Sequence, residues 1–174
     1  VKLHVLKARL FDGCGFGSKK ATEYFIDWVK QYDPDVIHLH NIHGYYINVE
    51  VLFRYLRTCG KKIIWTLHDC WAFTGHCAYF DYTSCERWKT ECRGCLGKVD
   101  YPSCRGFSRA KKNYQRKKKL FTGIPNMTLA TPSFWLSSQV RESYLKDYAI
   151  DTIHNGVDTC VFKHTESDIK HRFG

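Results

Sequence analysis

The sequence lacks any long apolar run, and it is poor in acidic residues. No stretch approaches the roughly 18–20 apolar residues that a membrane-spanning helix needs, and the start VKLHVLKARL does not have the pattern of a secretory signal. Only 17 acidic residues oppose 27 lysines and arginines, which gives a formal net charge of +10. This imbalance favours anionic partners, such as nucleic acid, acidic lipid surfaces or phosphate-bearing substrates.

Internal repeats, low-complexity segments, a zinc-finger consensus and an RNA-recognition consensus are also absent from the sequence. Because no such motif accompanies the positive charge, we expect no nucleic-acid partner. The 174 residues suffice for one domain with a core of its own. The chain opens on a valine and stops where a new helix is predicted, so we expect it to be a fragment.

Apolar spacing predicts helices and strands in alternation. After Ser18, the residues Ala21, Phe25, Trp28 and Tyr32 recur at helical spacing and are expected to form a buried face. Further helices are predicted at about 45–59, 107–121 and 133–145, the last with Ser133 as N-cap. Strands are predicted at 35–40, 63–67, 127–131 and 149–154. The order predicts an α/β fold, a Rossmann-like parallel sheet with helices on both faces.

The helix predicted at 107–121 carries a dense group of basic residues. Phe107, Ala110, Tyr114 and Phe121 are expected on its buried face. The basic residues within 109–119 have two interpretations. They form either a solvated helix face or a surface that contacts an anionic membrane or a phosphate-linked acceptor.

Two predicted strands end in histidine, His40 and His68, and polar residues Asn41 and Asp69 follow them. The carboxyl ends of parallel strands meet at one edge of a sheet, where α/β proteins bind their ligands. We therefore expect both imidazoles in one polar cleft. His38 is two residues before His40 and so lies on the same face of the strand, but we expect it deeper in the protein, as a core histidine with its hydrogen bonds made.

Nine cysteines are present, five of them between Cys70 and Cys95. Cys92 and Cys95 have the spacing of adjacent ligands in a tetrahedral site, and Cys77 and Cys85 could complete it. Structural zinc is the favoured interpretation, and free thiols or disulfides are the alternatives. His76 and Cys104 are reserve ligands in the same segment.

Several motifs together resemble bacterial family 4 glycosyltransferases of capsule, exopolysaccharide and O-antigen clusters. They are DPDVIHLHNIHGYYIN, TLHDCWAFTGHCAYF, the Trp88-Lys89 pair with the CxxC that follows it, TPSFWL and NGVD. The resemblance extends from about 33 to 162. It implies a GT-B architecture, of which residues 1–153 are the acceptor-side N-terminal domain, incomplete at its start. Residues 154–174 are then the interdomain linker and the beginning of a missing donor domain.

The resemblance also implies roles for individual residues. His68 contacts the donor sugar near the anomeric centre, and Asp69 accompanies it as a catalytic residue. His40 and Asn41 line the acceptor side, while Ser133 and Asn155 are also expected to bind substrate. His154 stands where many relatives have proline, so the linker departs from the family pattern at this position.

The implied reaction is a retaining transfer of a hexosyl-type sugar from a nucleotide-sugar donor to a glycan or lipid-linked acceptor in surface polysaccharide biosynthesis. The protein is expected in the cytoplasm, at the inner face of the plasma membrane through residues 109–119. Because the donor domain is missing, this fragment alone is expected to be inactive.

Two other interpretations remain open. One is a zinc-stabilised binding module whose basic helix holds an anionic partner. The other is an inactive piece of a truncated reading frame. The first needs no common edge for His40 and His68, whereas the transferase interpretation requires one.

Overall fold

A computed structural model describes residues 2–163 and 168–173 of this chain. The helices within them are α1 (Lys2–Phe11), α2 (Lys19–Tyr32), α3 (Val49–Leu56), α4 (Ala110–Phe121), α5 (Phe134–Glu142) and α6 (Ile169–Phe173). The strands are β1 (Val36–Leu39), β2 (Lys62–Thr66), β3 (Met127–Thr131) and β4 (Ala149–Thr152). Three short 3-10 helices, Trp71–Phe73, Asp81–Thr83 and Arg87–Lys89, interrupt the segment between β2 and α4.

The four strands form one parallel sheet in the order β1-β2-β3-β4. Strands that are neighbours in the sheet are therefore consecutive in the sequence. Each connection between two strands contains a helix and returns the chain to the opposite end of the sheet. Leu39 pairs with Trp65, and Trp65 pairs with Leu129, so the strands are nearly in step at their carboxyl ends. This arrangement confirms the predicted α/β class and the Rossmann-like parallel sheet.

Caps define where two of the helices start. The side chain of Asn48 accepts a hydrogen bond from the Val51 amide, so α3 begins at Val49 and not near 45 as predicted. The side chain of Ser133 accepts one from the Leu136 amide, which confirms the predicted N-cap of α5. That helix ends at Glu142, before the predicted end near 145.

One face of the sheet supplies most of the core. Trp65 of β2 lies against Phe53 of α3 and Phe121 of α4, with ring centroids 5.2 and 5.1 Å away. Ile63 and Leu129, which share this face with Trp65, are fully buried. Burial of apolar surface between α3, α4 and the sheet is thus the main force that fixes the strand ends where the polar residues lie.

The predicted buried face of α2 is wrong. Ile26 and Val29 are buried, whereas Phe25, Trp28 and Tyr32 are 46%, 57% and 69% exposed. The three rings stack along the helix, with centroids 6.2 and 5.3 Å apart. Helix α2 has two adjacent apolar stripes with helical spacing, one aliphatic and one aromatic. The aliphatic stripe, with Ile26 and Val29, packs towards α3, and the aromatic stripe stays uncovered.

The predicted faces of α4 need two corrections. Phe107 precedes the helix, which begins at Ala110, and it is 80% exposed. Lys117, expected among the solvated basic residues, is only 1% exposed. Its Nζ donates a hydrogen bond to the Trp71 carbonyl oxygen over 2.6 Å, which provides a polar partner for the buried amine.

The predicted linker at 154–174 is only partly described. Residues 154–163 are exposed, while 164–167 and 174 lie outside the described residues, as does residue 1 of the predicted domain. Among the described residues, no helix has both the length and the apolar character to cross a membrane.

Candidate functional site

His40 and His68 lie side by side at the carboxyl edge of the sheet. His40 directly follows β1, and His68 follows β2 after one buried residue, Leu67. The His40 Nδ1 and His68 Nε2 atoms are 3.0 Å apart, and the two rings are stacked with centroids 5.3 Å apart. The expected meeting of the two imidazoles at one edge of the sheet is therefore observed.

A third imidazole joins this pair. The His38 ring centroid lies 4.3 Å from that of His40, and its Nε2 is 2.8 Å from Thr66 Oγ1. His38 is exposed, so its prediction as a core histidine is wrong, although its ring does find a hydrogen-bond partner. Desolvation, and then the charges of His40 and His68, lower the pKa of His38.

Asp69 is buried and its carboxylate is already engaged. Oδ1 accepts a hydrogen bond from the Trp71 amide over 2.8 Å, and Oδ2 lies 2.8 Å from His43 Nε2. The His43 ring is tilted against the Trp71 ring and meets Tyr101 edge-on, with centroids 5.2 and 5.7 Å away. In this geometry the Asp69 carboxylate fixes the turn after His68 and does not face an open cleft.

Lys117 holds the same turn from the other side. Besides its hydrogen bond to the Trp71 carbonyl, its Nζ lies 3.8 Å from the centroid of the Trp71 ring. Burial lowers the pKa of Lys117 to about 8, because the charged amine loses its hydration. Sequence reasoning missed both His43 and Lys117, since neither follows a strand end and only the packing of Trp71 brings them together.

The space enclosed behind the histidines is very small. The pocket that His40, Asn41, His68 and Asp69 line has a volume of only about 10 Å³, roughly what one water needs. Asn41 is exposed at its edge, and its carbonyl oxygen accepts a hydrogen bond from the Tyr46 hydroxyl over 2.6 Å. A ligand larger than water must therefore meet these residues from the open side of the edge.

The remaining two predicted binding residues follow the other two strands. Ser133 comes after β3, and its Oγ is occupied by the Leu136 amide over 3.2 Å. Asn155 comes after β4 and is exposed. His154 Nδ1 lies 3.0 Å from the Pro132 carbonyl oxygen, which links the two segments. All four strand ends thus contribute a predicted site residue to one edge of the sheet.

The predicted zinc site is not supported. Within residues 2–163 and 168–173, no group of three or more His, Cys, Asp or Glu side chains is arranged to hold a metal ion. Cys77, Cys85, Cys92 and Cys95 are free thiols. A hydrogen bond with Cys95 lowers the pKa of Cys77, and burial raises the pKa of Cys92 to about 11.

The cysteine-rich segment is held together by an apolar core of its own. Phe73, Phe80 and Trp88 are buried against one another, with ring centroids 4.9 to 6.4 Å apart. Cys77 and Cys92 lie buried in the same cluster. Aromatic side chains therefore supply the apolar burial that stabilises this segment.

Comparison with known proteins gives one direct indication of function. No protein-family model matches the chain. The chain is 30% identical over 158 residues to the putative colanic acid biosynthesis glycosyl transferase WcaC of Escherichia coli strain K12. The match includes 86% of this chain, and the chain spans about 37% of the length of that relative.

This similarity does not favour the zinc-stabilised binding module, for which the described residues also offer no metal site. The similarity confirms that this chain resembles a bacterial glycosyltransferase.

Proposed function

We propose that this chain is the acceptor-side part of a GT-B glycosyltransferase that transfers a sugar, with retention, from a nucleotide-sugar donor to a glycan or lipid-linked acceptor in polysaccharide biosynthesis. The observation that carries the proposal is the pairing of His40 and His68, 3.0 Å apart at the carboxyl edge of a parallel sheet. The similarity to a putative colanic acid biosynthesis glycosyl transferase supports sugar transfer in polysaccharide biosynthesis.

In this proposal His68 binds the donor sugar near its anomeric centre. An imidazole N–H can donate to a sugar hydroxyl, and a fixed ring lowers the entropy lost when the substrate is oriented. The contact with His40 fixes the His68 ring, because one ring nitrogen donates and the other accepts. His40 and Asn41 then face the acceptor from the neighbouring strand end.

Asp69 is proposed as a positioning residue. Its carboxylate accepts from the Trp71 amide and pairs with buried His43, so it holds the backbone that directly follows His68. A carboxylate with both oxygens engaged is poorly placed to meet a sugar, whereas it is well placed to keep the His68 ring at the edge.

Donor binding is proposed to depend on residues outside this chain. The chain spans about 37% of the length of its relative, so the relative has room for a second domain. In the proposed mechanism that domain holds the leaving diphosphate, and residues 154–163 lead towards it. Ser133 and Asn155, at the ends of β3 and β4, would face the donor across the interdomain cleft.

We also propose that the sheet continues beyond β1. Parallel sheets are ordinarily buried, yet Val36 of β1 is 45% exposed. In the described residues β1 pairs with β2 alone, and the Phe25, Trp28 and Tyr32 rings of α2 lie uncovered. A further strand and helix of the same protein would cover both the free edge and this aromatic stripe.

A peripheral contact with the anionic cytoplasmic face of the plasma membrane is part of the proposal. Five of the basic residues in 109–119 are exposed, while Lys117 is buried; the exposed ones are Arg109, Lys111, Lys112, Lys118 and Lys119. Arg93, Arg109, Lys111 and Lys112 line an open concavity of about 890 Å³. Each such cation contributes about 1 kcal/mol near an anionic lipid surface.

The experiment uses the complete reading frame that contains these residues. The expressed protein is mixed with glycan and lipid-linked saccharide acceptors and assayed for release of nucleoside diphosphate from a panel of nucleotide sugars. We expect His68→Ala to lower transfer about 100-fold or more, because a positioned donor of this kind is worth two to three orders of magnitude. His171→Ala, which removes an exposed imidazole from α6, should leave the rate within about twofold.

Folding is checked in parallel by circular dichroism and urea unfolding of both variants. If His68→Ala turned over at the wild-type rate while folded, His68 would not be part of the site. If the unaltered protein released no nucleoside diphosphate with any donor tested, the transferase proposal itself would be wrong.

A further inference from the structure

A second concave site lies apart from the histidine edge. It is a cleft of about 310 Å³, far above the roughly 10–15 Å³ that one water needs, between α1, the turn that follows it and α4. Its lining includes Lys7, Phe11, Asp12, Phe16, Arg109 and Arg116. None of its lining residues borders the small pocket at His40 and His68. We refer to it as the basic cleft.

The basic cleft has an excess of positive charge. Lys7, Arg109 and Arg116 contribute three cations against one carboxylate, Asp12, which leaves two positive charges in the lining. Both oxygens of the Asp12 carboxylate already have hydrogen-bond partners. Its Oδ1 lies 2.6 Å from buried His76, and its Oδ2 accepts from the Arg109 amide over 2.7 Å.

Two of the cations are held in place before any ligand arrives. The Arg116 guanidinium lies 3.7 Å from the centroid of Phe16, and its Nε and Nη2 donate to Glu50 over 3.1 and 2.6 Å. The Arg109 guanidinium lies 5.6 Å from the centroid of Phe11. Aromatic faces restrict these planar groups, so less side-chain entropy is lost on binding.

Arg109 and Lys7 retain their full charge for a ligand. Glu50 neutralises part of the charge of Arg116, but within the described part of the chain neither Arg109 nor Lys7 has a carboxylate within salt-bridge distance. A guanidinium presents paired N–H donors that match phosphate oxygens, and an amine adds a point charge. The lining thus combines both kinds of phosphate-binding group.

We propose that the basic cleft binds a diphosphate group. Its volume accommodates more than one phosphate, and cations on α1 and on α4 border the same space. The diphosphate belongs either to a soluble molecule or to a lipid at a membrane surface, because the same oxygens are presented in both. This site is additional to the proposed transfer site and does not depend on transfer activity.

The test is calorimetric titration of the 174-residue protein with inorganic pyrophosphate at low ionic strength, where surface charges are least screened. We expect saturable binding of one pyrophosphate per chain. Arg109→Gln should weaken it about tenfold or more, as loss of a charge-assisted contact does. Lys119→Gln removes the same charge from an exposed position of α4 and should change the affinity less than twofold.

The two sources of diphosphate are separated by a second arm, which compares neutral phosphatidylcholine vesicles with and without an added prenyl diphosphate lipid. If Arg109→Gln reduces the part of vesicle binding that depends on the diphosphate lipid more than Lys119→Gln does, the cleft takes its diphosphate from lipid. If the two variants bind vesicles equally but differ towards pyrophosphate, the ligand is soluble. If both variants lost the same affinity in both assays, general positive charge would explain the binding and the proposal would be overturned. The absence of saturable pyrophosphate binding would overturn it as well. Circular dichroism confirms that each variant is folded.

Discussion

Asp69 Oδ2 and His43 Nε2 form a buried pair 2.8 Å apart, directly behind the turn that carries His68. Their side chains are both buried, and Asp69 also accepts from the Trp71 amide. The pair links the segments that follow β1 and β2 through side chains, in addition to the backbone hydrogen bonds between the two strands. Its geometry explains how two short strands can present their histidines at a fixed separation.

Loss of this pair should destabilise the protein strongly. Asp69→Ala leaves the Trp71 amide and His43 without their acceptor in a buried site, and we expect the free energy of unfolding to fall by about 3 kcal/mol. Urea unfolding measures the change. Asp151→Ala, at an exposed position of β4, should alter it by less than about 0.5 kcal/mol. A similar effect for both would mean that the buried pair has no special importance.

The pKa of His38 should depend on the two imidazoles beside it. Desolvation lowers the pKa of His38 first, and the charges of His40 and His68 lower it further. We therefore expect His40→Gln to raise the pKa of His38, because one neighbouring charge is lost. Proton NMR of the ring hydrogens against pH measures it. His171→Gln, on α6, should leave the His38 titration unchanged, and an unchanged value in His40→Gln would refute the coupling.

The buried amine of Lys117 should make stability depend on pH in a defined direction. Burial lowers its pKa to about 8, below the ordinary value of 10.5. Between these two values the unfolded chain binds more protons than the folded protein, so the free energy of unfolding rises with pH across this window. Below about pH 8 the amine is charged in both states, and the full cost of burying that charge lowers the stability. Cys14, Cys92, Asp12 and Cys77 face the amine and act to raise its pKa, but less than burial lowers it.

The measurement is the difference in unfolding free energy between the wild type and Lys117→Met at pH 7 and at pH 10. Other groups that titrate at high pH are common to both proteins, so they largely cancel in the difference. We expect the wild type to be more stable relative to Lys117→Met at pH 10 than at pH 7. A difference that does not change with pH would show that Lys117 titrates normally.

The exposed aromatic stripe of α2 gives a test of the proposed extension of the sheet. In the 174-residue chain, Trp28→Lys should change the free energy of unfolding by less than about 0.5 kcal/mol, because the ring is more than half exposed. Ile26→Ala removes a buried side chain of the same helix and should cost about 2–4 kcal/mol.

In the complete reading frame the prediction for Trp28 reverses. If a further strand and helix cover the stripe, Trp28→Lys buries a charge against apolar surface and should destabilise the protein by more than about 2 kcal/mol. Thermal unfolding of both forms of the protein distinguishes the cases. An equally small effect in the complete protein would mean that the stripe stays exposed there.

The amino-acid sequence by itself determined the strands and their common edge. Buried runs such as 127–131 and histidines at the ends of two runs are local patterns, and parallel strands share one carboxyl edge by geometry. The approach of His40 to His68 followed from that. The N-cap at Ser133 was equally readable, since a cap depends on a few neighbouring residues.

Only the tertiary structure decided which of two apolar stripes α2 buries, that Lys117 lies in the core, and that His43 pairs with Asp69. Each depends on what a distant segment brings to the same place, such as the Trp71 ring and carbonyl that meet Lys117. The cysteine-rich segment shows the same limit. Spacing suggested a metal, whereas the packing of Phe73, Phe80 and Trp88 supplied a core that spacing alone does not reveal.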